Sequence, residues 1–199
     1  MDFAIHGNIV YNNVLWETEE LWRMKKKFDV FLQREKIQTT STIALAMERT
    51  PGLLTAVMSL LDQEVVFLPI DRELPAERLQ YMLETAEIDY IITDGGWIQE
   101  RKVDCPVLFF DQMDIEIPPE PVTVIPAERQ DLAYLLFTSG TTGRPKAVEV
   151  RREGLLNFIQ AMLERIDFPV KSRIACCTSE MFDIFFLESV LALCTGMTV

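Results

Sequence analysis

The sequence predicts an α/β fold, with open, largely parallel sheets and helices packed against them. Short apolar runs of strand length alternate with helical-period segments of ten or more residues, the pattern of parallel strands joined by crossover helices. Proline, glycine, aspartate and threonine punctuate the ends of those runs. Of the 199 residues, 49% are hydrophobic and 25% charged, so the chain can bury a sizeable core and is not globally disordered. That length accommodates one large domain or two small ones.

Leu21, Met24, Phe28, Phe31 and Leu32 recur at helical spacing and predict an amphipathic helix over about 16–36. The apolar run 42–47 predicts a strand. Thr50 then suits an N-cap, and Pro51 the first position of a helix over 51–61. A strand over 65–70 follows, then a helix over 75–87 with Leu79, Met82 and Leu83 on one face. Strands over 90–93, stopped by Asp94-Gly95-Gly96, and over 107–110 come next. Pro118, Pro119, Pro121 and Pro126 mark an extended connection, 118–126, between candidate sub-lobes at about 1–117 and 127–199. Beyond it, 132–137 reads as a buried strand, 147–150 as a strand and 155–163 as a helix. A strand over 173–177 and a helix over 185–193, with Gly196 at its C-terminal cap, complete the series.

Charge excludes some functions. A net charge of −12 lacks the basic footprint of a nucleic-acid binder and offers an anionic membrane no attraction. Lys25-Lys26-Lys27 is the only basic cluster and reads as the solvated face of a helix. No run of about 18 apolar residues marks a membrane span, and the opening residues lack the charged and apolar regions of a signal peptide. Cys105, Cys176, Cys177 and Cys194 show neither zinc spacing nor a C-x-x-C pair, so they are expected to be reduced, mostly buried thiols of a cytoplasmic protein. His6 is the only histidine, and nothing near it supports a Ser-His or Cys-His catalytic pair.

The chemistry concentrates in Thr138-Ser139-Gly140-Thr141-Thr142-Gly143-Arg144-Pro145-Lys146, which follows the apolar run 132–137. Glycines allow close backbone approach, hydroxyls and N–H groups donate, and Lys146 adds positive charge; polyphosphate needs such parts. The spacing is not that of the common P-loop, because the lysine comes three residues after the second glycine and no Ser/Thr follows it. Nor is it G-x-G-x-x-G. Without further support, a Gly/Thr loop of this kind would more often be a polar turn between strands.

The full wording of the loop resembles the signature of the adenylate-forming superfamily, which includes acyl-CoA synthetases, luciferases and the adenylation domains of nonribosomal peptide synthetases. Three other blocks are similar to segments of such adenylation domains. They are Ile43-Ala44-Leu45 with Glu48-Arg49-Thr50; Phe67-Leu68-Pro69-Ile70-Asp71 with Leu74-Pro75-Ala76-Glu77-Arg78 and Tyr81-Met82-Leu83; and Phe182-Asp183-Ile184-Phe185-Phe186-Leu187-Glu188. Together the blocks cover about residues 43–199. The resemblance implies the N-terminal part of the adenylate-forming fold, and ATP with Mg²⁺ as cofactors. The implied reaction joins a carboxylate to AMP with release of pyrophosphate, then forms a thioester.

By resemblance, Thr138, Ser139, Gly140, Thr141, Thr142 and Gly143 surround the β- and γ-phosphates. Lys146, the one catalytic assignment, supports that loop or the leaving pyrophosphate. Asp183 matches the aspartate that holds the substrate α-ammonium in amino-acid-activating members; read without the resemblance, it is an acid opening a helix. No metal ligand is assigned. Ala147, Arg152 and Asp62-Gln63-Glu64 depart from the family's usual glycine, histidine and Ala-Gly pair. The 199 residues stop before several implied parts: the adenine-stacking aromatic with its Mg²⁺-binding glutamate, the ribose-binding aspartate, the hinge and the mobile subdomain with its own catalytic lysine. The chain is therefore expected to be inactive alone. It would be a truncated product, or a part completed by a second polypeptide, with an amino acid as substrate and a phosphopantetheinyl carrier protein as an implied partner. A fragment of an acyl- or aryl-CoA synthetase, which has no ammonium to bind, and an inert interaction module stay open as alternatives.

Overall fold

The structure, a computed structural model, describes residues 3–99, 101–111, 115–119, 122–124, 131–139, 144–169 and 171–199. The chain begins with an antiparallel hairpin, β1 (Ile9–Tyr11) and β2 (Val14–Trp16), absent from the sequence-based expectation. Asn12 and Asn13 turn it at φ of 51° and 64°, a left-handed pair that asparagine tolerates well. Helix α1 (Thr18–Arg34) starts at a capping box: Glu17 N–H donates to the Glu20 carboxylate at 2.9 Å. Strand β3 (Thr42–Ala46) leads to α2 (Pro51–Asp62), where the Thr50 hydroxyl accepts from Gly52 N–H as an N-cap. Strand β4 (Val66–Pro69), helix α3 (Ala76–Thr85), and strands β5 (Tyr90–Thr93) and β6 (Val107–Phe109) follow the predicted order.

After the proline-rich stretch, β7 (Leu132–Thr138) pairs in parallel with β4, and β8 (Lys146–Arg151) returns antiparallel along β7. Segments on both sides of that stretch thus build one six-stranded sheet, ordered β6-β5-β3-β4-β7-β8. Only β8 runs against the others.

The strand pleat assigns the core. Ile43, Leu45, Phe67, Ile92, Tyr134 and Leu136 face one side, against α1, α2 and α4 (Arg152–Arg165). Ala44, Ala46, Val66, Leu68, Ile91, Leu135 and Phe137 face the other, against Leu79, Met82 and Leu83 of α3. Strands β3 and β4 are almost wholly buried, which explains why they read as unbroken apolar runs rather than as alternation.

The last helix has three pieces: α5 (Ile184–Phe186), a π-helical turn (Leu187–Leu191) and α6 (Ala192–Cys194). Gly196 follows at φ +81°, the left-handed stop expected there. Gly7 packs against this end; a Cβ on it would stand 2.2 Å from the Met197 carbonyl oxygen.

Three expectations need correction. Residues 173–177 are not a strand; Arg173 forms a single bridge to Thr198. Side chains capture the neighbouring backbone instead. Arg49 Nη2 donates to Cys176 O at 2.7 Å, and Glu188 accepts from the N–H groups of Cys177 and Thr178 at 2.9 and 2.8 Å. The cysteines are free, but only Cys194 is buried.

The third correction concerns Lys25, which is only 2% exposed. Its ammonium meets Asp29 on its own helix at 3.1 Å and Asp62 on α2 at 2.7 Å. Ser59 Oγ donates to Asp29 at 2.5 Å. Burial raises the Asp29 carboxyl above its ordinary pKa, while Lys25 pulls it down. Arg152, another departure from the family pattern, is also buried and donates to the Leu61 carbonyl oxygen at 2.6 Å, with its guanidinium over the Phe3 ring. Both cations thus tie elements to the end of α2. Lys25→Met is expected to destabilise the fold by about 3–5 kcal/mol, because it strands a buried carboxylate. Urea unfolding would measure this, and Lys25→Met with Asp29→Asn should recover part of the loss.

Candidate functional site

Strand β7 explains the placement of the loop. Ala133–Phe137 are buried, and the chain reaches solvent at Thr138 and Ser139. Strand β8 then begins at Lys146, which is exposed and lies directly opposite Thr138. The two flanks of the expected phosphate loop are therefore side by side at the carboxyl end of β7. Strands β3, β4 and β5 point their carboxyl ends the same way, and ligands of open α/β sheets sit outside those ends. Gly140, Thr141, Thr142 and Gly143 lie outside the described residues.

An ion pair lies near these strand ends. Asp94, just past β5, accepts from Glu48 N–H at 2.8 Å and pairs with Arg72 at 3.4 Å. Burial raises its carboxyl above the ordinary value, with the Glu48 N–H and Arg72 opposing. Among the described residues, no group of three His, Cys, Asp or Glu is placed to hold a metal ion.

Asp183 stands exposed just before α5, and its carboxylate accepts from Ile184 N–H at 2.9 Å. It has the local role expected of an acid opening a helix, and it keeps an oxygen free to reach outward. The turn behind it is fixed to β7 by Tyr134, whose ring stacks on Phe186 with centroids 3.8 Å apart and planes 9° from parallel. Burial, and then the Asp183 carboxylate, push the Tyr134 hydroxyl well above its usual pKa. Tyr134, Leu136 and Thr138 share one face of β7 by strand alternation. The Phe186–Tyr134 stack thus sets the Asp183 turn beside the sheet face that Thr138 shares.

Cys176, whose carbonyl Arg49 holds, is half-buried, and burial pushes its thiol up to about 11 against the pull of Arg49. It is a weak nucleophile at neutral pH. Alkylation followed by mass spectrometry should therefore label the exposed Cys177 well before Cys176.

One contact was not singled out from the sequence. Tyr81 of α3 donates its hydroxyl to the Pro145 carbonyl oxygen at 2.9 Å and sets its ring edge-on to Phe137. Tyr81 belongs to one of the blocks quoted above, but no local signal ties it to a residue 64 positions away.

A model of the AMP-binding enzyme family matches residues 8–199. A dimodular nonribosomal peptide synthase of Bacillus subtilis (strain 168) is 34% identical over 166 residues, covering 79% of this chain and 7% of that protein. Tyrocidine synthase 1 of Brevibacillus parabrevis is 26% identical over 194 residues, covering 96% of this chain and 18% of its own length. The chain thus spans less than a fifth of either relative. Among solved structures, a four-domain nonribosomal peptide synthetase bound to AMP and glycine superimposes with a TM-score of 0.82 at 23% identity, over 98% of this chain and 14% of that one. An O-succinylbenzoate coenzyme A synthetase from Bacillus subtilis, in complex with AMP, gives 0.77 at 18% identity, over 98% and 52%. At such identities these likenesses speak for the fold alone.

Proposed function

We propose, from the premise that this chain belongs to the AMP-binding enzyme family, that it is the N-terminal part of an amino-acid-activating adenylation domain and supplies the pyrophosphate end of its ATP site. The observation that carries the reading is the juxtaposition of Thr138 and Ser139 with Lys146 at the carboxyl end of β7, on the sheet face that Asp183 also borders.

In the reaction, a substrate carboxylate oxygen attacks the α-phosphorus of ATP. The bond from that phosphorus to the bridging oxygen breaks, and pyrophosphate leaves. Thr138 and Ser139 would donate to the phosphate tail from fixed positions at the strand end. Lys146 would neutralise charge that grows on the leaving group, an effect strongest when the donor is already in place. Mg²⁺, carried in with the nucleotide, would share that charge. Asp183 would accept from the substrate ammonium. Thioester formation on a carrier protein would follow.

The adenosine seat and the mobile catalytic lysine implied by the resemblance are not assigned to residues 1–199, so turnover would require further adenylation-domain polypeptide, in the same chain or a separate one. ATP–pyrophosphate exchange tests this with a pool of amino acids and, separately, of aryl and fatty acids. The expected result is no exchange by residues 1–199 alone, and amino-acid-dependent exchange once the remaining polypeptide is supplied. Robust exchange by residues 1–199 alone would refute the requirement for more polypeptide. Exchange with aryl or fatty acids only would replace the substrate class.

The competing reading, an aryl- or acyl-CoA synthetase fragment, shares the loop but has no substrate ammonium for Asp183 to hold. Asp183 tips the balance toward an amino acid, since a carboxylate beside a carboxylic acid lacking an ammonium would repel it.

A further inference from the structure

We propose that Tyr81 is a positioning residue for the phosphate loop. The inference rests on the reading of residues 138–146 as a polyphosphate site. One side chain touches both flanks of that loop. The Tyr81 ring packs edge-on against Phe137, the residue before Thr138, with centroids 6.4 Å apart. Its hydroxyl donates to the carbonyl oxygen of Pro145, the residue before Lys146, at 2.9 Å.

Helix α3 makes this possible from the sheet face opposite Asp183. Leu79, Met82 and Leu83 anchor the helix on Ala44, Val66 and Leu135, in the cluster that also holds Phe137. Tyr81 is half-buried at its edge. Holding the Pro145 carbonyl fixes the peptide plane that leads into Lys146, which the β7–β8 ladder sets opposite Thr138. Pre-setting the backbone that enters Lys146 lowers the ordering cost of binding an anion there. The sheet alone fixes Thr138 and Lys146 as strand ends. The Tyr81 hydroxyl adds a bond to the backbone just before Lys146.

Tyr81→Phe deletes that bond and keeps the ring contact. Isothermal titration of the 199-residue chain with magnesium pyrophosphate separates the possibilities. The parent should bind. Tyr81→Phe should bind about two- to tenfold more weakly, the effect of one neutral hydrogen bond. Its thermal midpoint should be unchanged within a degree or two, and its loss should be confined to polyphosphate, with no change when an amino acid is titrated. Lys146→Ala serves as the reference for the loop itself. Parent-like affinity in Tyr81→Phe, with Lys146→Ala impaired, overturns the Tyr81 assignment alone. No binding by the parent, or equal binding by Lys146→Ala, overturns the phosphate-loop reading and the Tyr81 assignment with it. A lowered midpoint with unaltered affinity would make Tyr81 a structural residue only.

Discussion

Lys146→Ala is expected to weaken magnesium pyrophosphate binding by roughly 10- to 150-fold, because a hydrogen bond to a charged group contributes about 1.5–3 kcal/mol. The fold should tolerate the change. Lys146 is the exposed first residue of β8, and its backbone pairing with Thr138 does not depend on the side chain. Titration at two ionic strengths sharpens the test. The parent should lose affinity as salt rises, and the variant should lose less. Equal binding by the two proteins would remove Lys146 from the site.

Asp183→Asn carries the second large effect. In an exchange assay with the completed adenylation domain, the apparent KM for the amino acid should rise by roughly 10- to 150-fold, by the same charged hydrogen-bond arithmetic. Asparagine keeps an oxygen that can accept from Ile184 N–H, so the start of α5 should survive. The des-amino analogue of the substrate provides the control. It should be a poor substrate of the parent, and Asp183→Asn should lose its discrimination against it. Unchanged amino-acid kinetics would favour an aryl- or acyl-activating enzyme. The Tyr134–Phe186 stack belongs to the same account, since it holds the Asp183 turn to β7.

Local physics made much of this legible in advance. Thr50-Pro51 announced α2 because an N-cap hydroxyl and a proline at the first helical position act within three residues. The apolar runs at β3, β4 and β7 read as strands because they are buried on both faces. The β1–β2 hairpin escaped because each strand has only three residues, although Asn12-Asn13 was a usable turn signal. The expected strand over 173–177 failed for a non-local reason. Arg49, 127 residues away, and Glu188, on the helix that follows, take backbone groups that a strand would have paired. Lys25 looked like solvated charge because its second partner, Asp62, lies 37 residues away on another helix.

The site divides in the same way. Thr138–Lys146 was visible as a motif, and its meaning came from spacing and from the blocks around it. The side-by-side placement of Thr138 and Lys146 needed the antiparallel return of β8. The brace from Tyr81 needed α3 to cross the opposite sheet face. Asp183 carried two readings in the sequence, and the structure gives it a helix-opening hydrogen bond without taking away its exposure.

The central claim is that residues 138–146 bind the polyphosphate tail of ATP. The most direct test is to titrate magnesium pyrophosphate into the isotopically labelled 199-residue chain and follow its backbone amide resonances. Saturable shifts concentrated at Thr138–Lys146, with smaller ones near Tyr81, are expected, together with their loss in Lys146→Ala. Shifts that map to another surface, or a loop that does not respond at saturating pyrophosphate, would contradict it.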